Sequence, residues 1–154
     1  MPTAEERLKE LGLILPDAAA PVANYVPFVR TANLLFVAGQ VSRNDDGSML
    51  TGKVGVDFNV EEGYEAARRC GLYALAVVKH ALGDLERVSQ VVRVMGLVNA
   101  PPDFTQQPQV INGFSDLMVG VFGDKGKHAR AAFGAGSLPG NAAVEVESMF
   151  EVRD

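Results

Sequence analysis

The sequence predicts an α+β fold in which one β-sheet carries two helices on one of its faces. Three observations predict it. Strand-like and helix-like runs alternate in the order strand, strand, helix, strand, helix, strand, strand. Neither a linker-like stretch nor an internal repeat divides them. The last run alternates apolar and mostly acidic residues with the period of a half-covered strand. Two helices can cover only one side of such a sheet, so the expected architecture is an α+β sandwich.

Each element has its own warrant. Thr3-Ala4-Glu5-Glu6 has the make-up of a capping box and opens a short helix. Leu8 and Leu11 share a face of that helix until Gly12, with Pro16 beyond. We assign residues 1–16 to an N-terminal helical extension and 17–154 to a single domain. Asn24 to Arg30 and Leu34 to Ser42 are largely β-branched, aromatic or apolar, and Thr31-Ala32-Asn33 between them predicts a hairpin. Asn44-Asp45-Asp46-Gly47 is a turn by composition, without the ligand spacing of a calcium loop.

Glu61 to Leu82 is the clearest helix. Tyr64, Ala67, Gly71, Ala74, Val78 and Ala81 recur at helical spacing, acidic residues open it, and Gly83 ends it. Val88 to Val98 is too β-rich and too short for another long helix, so it reads as a buried strand. Pro108 to Phe122 is the second long helix, with Val110, Phe114, Leu117 and Val121 inward. Arg130 to Leu138 and Ala143 to Val152 are the closing strands. In the last, Val144, Val146, Ser148, Phe150 and Val152 alternate with Glu145, Glu147, Met149 and Glu151. The face carrying the three glutamates is either solvated or set against a symmetric copy, and the sequence leaves both readings open.

Composition removes whole classes of function. Hydrophobic residues make up 47% and charged residues 21%, which argues against extended disorder. The formal net charge is −5 and the basic residues are scattered, so no nucleic-acid or membrane-surface partner is expected. The single Cys70 rules out an intrachain disulfide framework and fits a reducing compartment, which makes a cytoplasmic location the expectation. Met1 to Arg7 is charged and lacks the apolar region of a secretory signal. Walker-type and nucleophile-elbow motifs are absent, and His80 and His128 have no metal-ligand spacing to other donors. Cys70, set mid-helix among small apolar residues, reads as a buried hydrophobe and His80 as a residue favouring the helix dipole.

The run Ala129-Arg130-Ala131-Ala132-Phe133-Gly134 is different, because an Arg opening an apolar, Gly-rich strand is costly to bury unpaired. Arg130 is either a strand-end residue, solvated or paired with Glu151, or a clamp for a small carboxylate. The fork-shaped guanidinium suits bidentate capture of such an anion.

This run, with Leu138-Pro139 and Val144-Glu145-Val146-Glu147 after it, resembles the C-terminal signature of the YjgF/RidA family. Tyr25 and the Gly39-Gln40 pair following Leu-Phe-Val are similar to its N-terminal elements, and Asn112 stands where the family often has a Val-Asn pair. The resemblance runs from about Pro21 to Val152. Ala132 replaces a frequent Cys, Ala38 a small hydroxyl residue, and Ser115 an aromatic.

What the resemblance implies is a chorismate-mutase-like fold with one mixed sheet, and hydrolysis of enamines or imines to 2-oxo acids and ammonia in the clefts of a homotrimer. It implies Arg130 as carboxylate anchor and Glu145 as the group polarising water. Tyr25 would close the pocket, Gly39 and Ala132 would offer backbone groups, and no metal or organic cofactor would be needed. If the strands bearing Arg130 and Glu145 are antiparallel neighbours, Glu145 lies level with residue 136 or 137, about 20 Å from Arg130. The two would then serve one small substrate only from different subunits. Two rivals stand beside this reading: a non-catalytic trimer binding small carboxylates, and a ribonuclease, which the acidic balance disfavours.

Overall fold

The structure is a computed structural model that describes residues 1–18 and 23–154, so the start of the resembling stretch at Pro21 lies outside the described residues. Helix α1 (Ala4–Glu10) opens on the capping box that the sequence carries. Thr3 accepts from the Glu6 backbone N–H, and the Glu6 side chain accepts from that of Thr3. Ala4 and Leu8 are buried, whereas Leu11, the C-cap of the helix, is exposed.

Strands β1 (Phe28–Thr31) and β2 (Leu34–Val41) form the expected hairpin, with Ala32 at φ 52° in its turn. Strand pairing begins at Phe28 rather than at Asn24. Pro27 has no N–H to give a ladder and contributes only its carbonyl, which accepts from Ala38. Helix α2 (Val60–Leu82) starts on a reciprocal Asn59–Glu62 box and ends on Gly83 in the left-handed conformation. Strand β3 (Val88–Asn99) is followed by helix α3 (Gln107–Phe122), strand β4 (Ala129–Ala135) and strand β5 (Val144–Val152). Strand β4 stops short of the expected Leu138 because Gly136-Ser137 and Pro139 lead into a turn.

The sheet order is β1-β2-β5-β3-β4, mixed, with only the β3–β4 pair parallel. That order corrects one expectation. Strands β4 and β5 are consecutive in the chain yet not neighbours, because β3 lies between them. A parallel β3–β4 pair needs a crossover, and α3 supplies it. Helices α2 and α3 cover one face, burying Phe114, Ile111, Val78 and Leu75 against Val94, Val146 and Phe150. They approach closely at Gly113, where a β-carbon would lie 1.9 Å from the Tyr64 carbonyl oxygen. Among the described residues no helix is long and apolar enough to cross a membrane.

Candidate active site

Register decides which side chains meet. Arg130 pairs with Val94 of β3, and Val94 pairs on its other side with Ser148 of β5. Leu97 pairs with Phe133 on one side and with Glu145 on the other. Paired residues share a face, and the ladder is regular from Val94 to Val98. Val94 and Leu97 are an odd number of positions apart, so Arg130 is on the helix-covered face and Glu145 on the open one. In the plane of the sheet they are three residues and two strand spacings apart, about 14 Å. This replaces the distance of about 20 Å expected from adjacent strands. The separation is shorter, but the side chains point to opposite sides of the sheet.

The predicted site residues therefore fall into two groups. On the helix side, at the edge strand β4, stand Arg130 and Ala132. Arg130 Nη1 donates to Asn112 Oδ1 at 2.8 Å and to Ser115 Oγ at 3.1 Å. Both Nη1 protons are thus used, and the Nε–H and Nη2 edge is left for a ligand. Among the described residues no carboxylate lies within 4.0 Å of Arg130, so the pairing with Glu151 does not form. Asn112 and Ser115 are one turn apart on α3, flanking the buried Ile111 and Phe114 that anchor the helix on the sheet. Ser115 Oγ lies 2.8 Å from His128 Nε2, and His128 Nδ1 lies 2.6 Å from the Gly126 carbonyl oxygen. Burial pushes the His128 imidazole below its ordinary range against the opposing Gly126 bond, and the Arg130 charge pushes the same way as burial.

On the open side stand Tyr25, Gly39 and Glu145. Tyr25 is exposed and, with Ala38, Phe36, Arg93, Met95, Glu147 and Met149, lines a cavity of about 590 Å³. Glu145 stands against Gly39, where β2 breaks its register with β5 between Val37 and Gln40. Its carboxyl is pushed above the usual carboxylate range by burial and, secondarily, by the charge of Glu147. The chain entering β5 is held by Asn99, fully buried, which donates to Asn141 Oδ1 and the Ala142 carbonyl oxygen, both at 3.0 Å. Lys53 Nζ donates to Asn99 Oδ1 at 2.7 Å.

The sequence marks Asn112 and Ser115 only through the resemblance and His128 only by its lack of metal partners, and it gives no sign of Asn99. Helical spacing of Asn112 and Ser115 was the one available signal for their shared face. Nothing in the sequence pointed that face at Arg130. Cys70 is fully buried, with its thiol pushed up chiefly by burial, and so behaves as the small hydrophobe expected.

The family model described as "YjgF/chorismate mutase-like, putative endoribonuclease" matches residues 5–152. Protein TCP17 of Trypanosoma cruzi is 47% identical over 148 residues, which cover 96% of this chain and 92% of that protein. The crystal structure of Atu1372 from Agrobacterium tumefaciens, a protein of unknown function, is similar at 45% identity and a TM-score of 0.90, covering 98% of this chain and 94% of that one. A Shewanella oneidensis structure named for an endoribonuclease is 34% identical with a TM-score of 0.94, covering 98% of this chain and all of that one. Matched by the family model over nearly its whole length and by relatives of this identity, the chain belongs to the YjgF/RidA family.

Proposed function

We propose that this protein hydrolyses small enamines or imines bearing a carboxylate, giving a 2-oxo acid and ammonia, in clefts between subunits of a homotrimer. The observation that carries the reading is the seat of Arg130. A guanidinium with no carboxylate partner among the described residues and one nitrogen tied to Asn112 and Ser115 has a planar donor edge free for an anion. The opposite-face placement of Glu145 supports the assembly, since a neighbouring copy offers a route for a Glu145 to meet this Arg130.

The chemistry follows from the two groups. An enamine tautomerises to an imine, whose C=N carbon is the electrophile. Arg130 holds the substrate carboxylate and fixes that carbon in place. Glu145 takes a proton from water as the oxygen bonds to the carbon, and the π electrons move to nitrogen, which is protonated. The carbinolamine then loses ammonia, leaving the carbonyl of the 2-oxo acid. Tyr25 covers the cleft, and backbone at Gly39 and Ala132 lies where side chains are small or absent. Partial burial suits Glu145 to this role, because a carboxyl held above its usual range is a better base once ionised.

The test is direct. Short-lived enamines are generated in situ from several amino acids, and their decay is followed with and without the protein. Accelerated decay with release of ammonia is expected. If every enamine tested decays at its unassisted rate while 2-oxo acids still bind, the protein is a carboxylate-binding module. Ribonuclease activity, the second reading, is favoured by the family description and by the name given to the Shewanella relative. The net charge of −5 supplies no electrostatic footprint for RNA, and an RNA-cleavage arm in the same experiment is expected to be blank.

A further inference from the structure

The hydroxyl between Arg130 and His128 has one set of proton positions when the imidazole is neutral. Arg130 Nη1 can only donate, so Ser115 Oγ accepts from it. The Ser115 proton is then directed away from Arg130, and His128 Nε2, an acceptor when bare, is 2.8 Å away. The Gly126 carbonyl can only accept, which puts the ring proton of His128 on Nδ1, 2.6 Å from that oxygen. Burial, chiefly, and the Arg130 charge disfavour a second ring proton, and the Gly126 bond puts the remaining one on Nδ1, which leaves Nε2 bare.

We propose that His128 is a positioning residue for the carboxylate anchor: by accepting the Ser115 hydroxyl proton at Nε2, it turns the Ser115 lone pairs toward Arg130 and fixes which edge of the guanidinium faces a ligand. The inference rests on the reading of Arg130 as anchor. Asn112 fixes one Nη1 proton and Ser115 the other, so the plane of the fork is held by two points. Without an acceptor at position 128 the hydroxyl is free to rotate, one of the two points is lost, and the Nε–Nη2 edge swings.

The test uses the full-length protein with His128→Phe, which keeps a flat ring and removes the acceptor. His128→Gln, whose amide oxygen can reach the Nε2 position, serves as the conservative variant. Ser115→Ala and the Ser115→Ala/His128→Phe pair complete a double-mutant cycle. Pyruvate is the probe, titrated by calorimetry, with thermal midpoints measured in parallel. Expected are a roughly three- to tenfold weaker pyruvate affinity for His128→Phe, the loss of one hydrogen bond, recovery to within about twofold for Gln, and no further loss in the double variant. Equal weakness of the Gln and Phe variants, or additive losses in the pair, overturns the proposal.

A thermal midpoint lowered with pyruvate affinity unchanged makes His128 part of the scaffold and overturns it as well. The ¹⁵N relaxation of Arg130 Nε–H separates this proposal from the anchor reading beneath it, since it needs no ligand. If the parent binds no pyruvate, the anchor reading fails. The His128 link then stands only if Arg130 Nε becomes more mobile in both His128→Phe and Ser115→Ala, and falls if it does not.

Discussion

A β-carbon placed on Gly39 would lie 2.5 Å from Glu145 Oε2 and 3.2 Å from its carboxyl carbon. The glutamate thus rests directly on the backbone of a residue that has no side chain to push it away. Gly39 does not have positive φ, so alanine there meets no backbone strain. Its conflict is with the carboxylate alone, the far end of a flexible side chain. Gly39→Ala should therefore leave the fold nearly intact while moving Glu145 off its position. Expected are a thermal midpoint within a few degrees of the parent and an enamine turnover lowered by roughly 10²-fold, the scale of a misplaced catalytic group. A variant that keeps full turnover would detach the Gly39–Glu145 contact from the chemistry.

The raised pKa of Glu145 gives two pH-dependent expectations of definite sign. As general base it works only when ionised, so turnover should rise with pH through a value above the ordinary 4.5. Glu147→Gln removes the secondary cause and should move that limb toward lower pH, leaving the burial contribution in place. Stability runs the other way. A carboxyl whose folded pKa is raised binds more protons folded than unfolded, so stability falls as pH climbs from about 4.5 through the folded value. Glu145→Gln should then raise the thermal midpoint at neutral pH while abolishing turnover. A midpoint that drops in Glu145→Gln assigns the residue a stabilising partner instead.

Arg130 is expected to be intolerant of its nearest chemical relative. Lys keeps the charge but cannot engage Asn112 Oδ1 and Ser115 Oγ with one nitrogen while offering a second, planar edge to a carboxylate. Arg130→Ala should abolish measurable 2-oxo-acid binding and turnover, and Arg130→Lys should recover little of either. Asn112→Ala removes one of two restraints and should weaken binding by roughly three- to tenfold. Calorimetric titration with pyruvate checks all three. Parent-like affinity in Arg130→Ala would return Arg130 to the structure and remove it from any site.

The elements were legible because each followed a local rule. The α2 helix carried its own caps, and the alternation in β5 told its buried from its open face residue by residue. Adjacency in the sheet was not legible. Consecutive strands are usually neighbours, and nothing in the residues between Ala135 and Val144 showed that β3 would separate β4 from β5. The support of Arg130 escaped for a related reason. Asn112, Ser115 and His128 are brought to it by the packing of α3 on the sheet, a tertiary event with no periodicity of its own. Asn99 was hidden likewise, a polar residue at the end of an apolar strand whose partners come from distant loops.

The placement of Arg130 and Glu145 on opposite faces allows the shared cleft to be tested by mixing two inactive proteins. In the proposed trimer each cleft takes Arg130 from one subunit and Glu145 from the next. Arg130→Ala trimers and Glu145→Gln trimers should each be inactive, since every cleft lacks one group. When the two chains are co-expressed and assemble at random, a cleft is intact if its Arg130 comes from the Glu145→Gln chain and its Glu145 from the Arg130→Ala chain. At equal amounts that holds for about one cleft in four in a closed ring. The co-expressed population should therefore recover about a quarter of the parent turnover with the parent KM, because the repaired clefts are unaltered. Mixing the separately purified variants without subunit exchange should recover nothing. A co-expressed mixture that assembles and stays inactive would mean that both groups act from one chain, which overturns the shared cleft. A homotrimer of either variant that keeps its turnover would instead remove the substituted residue from the mechanism.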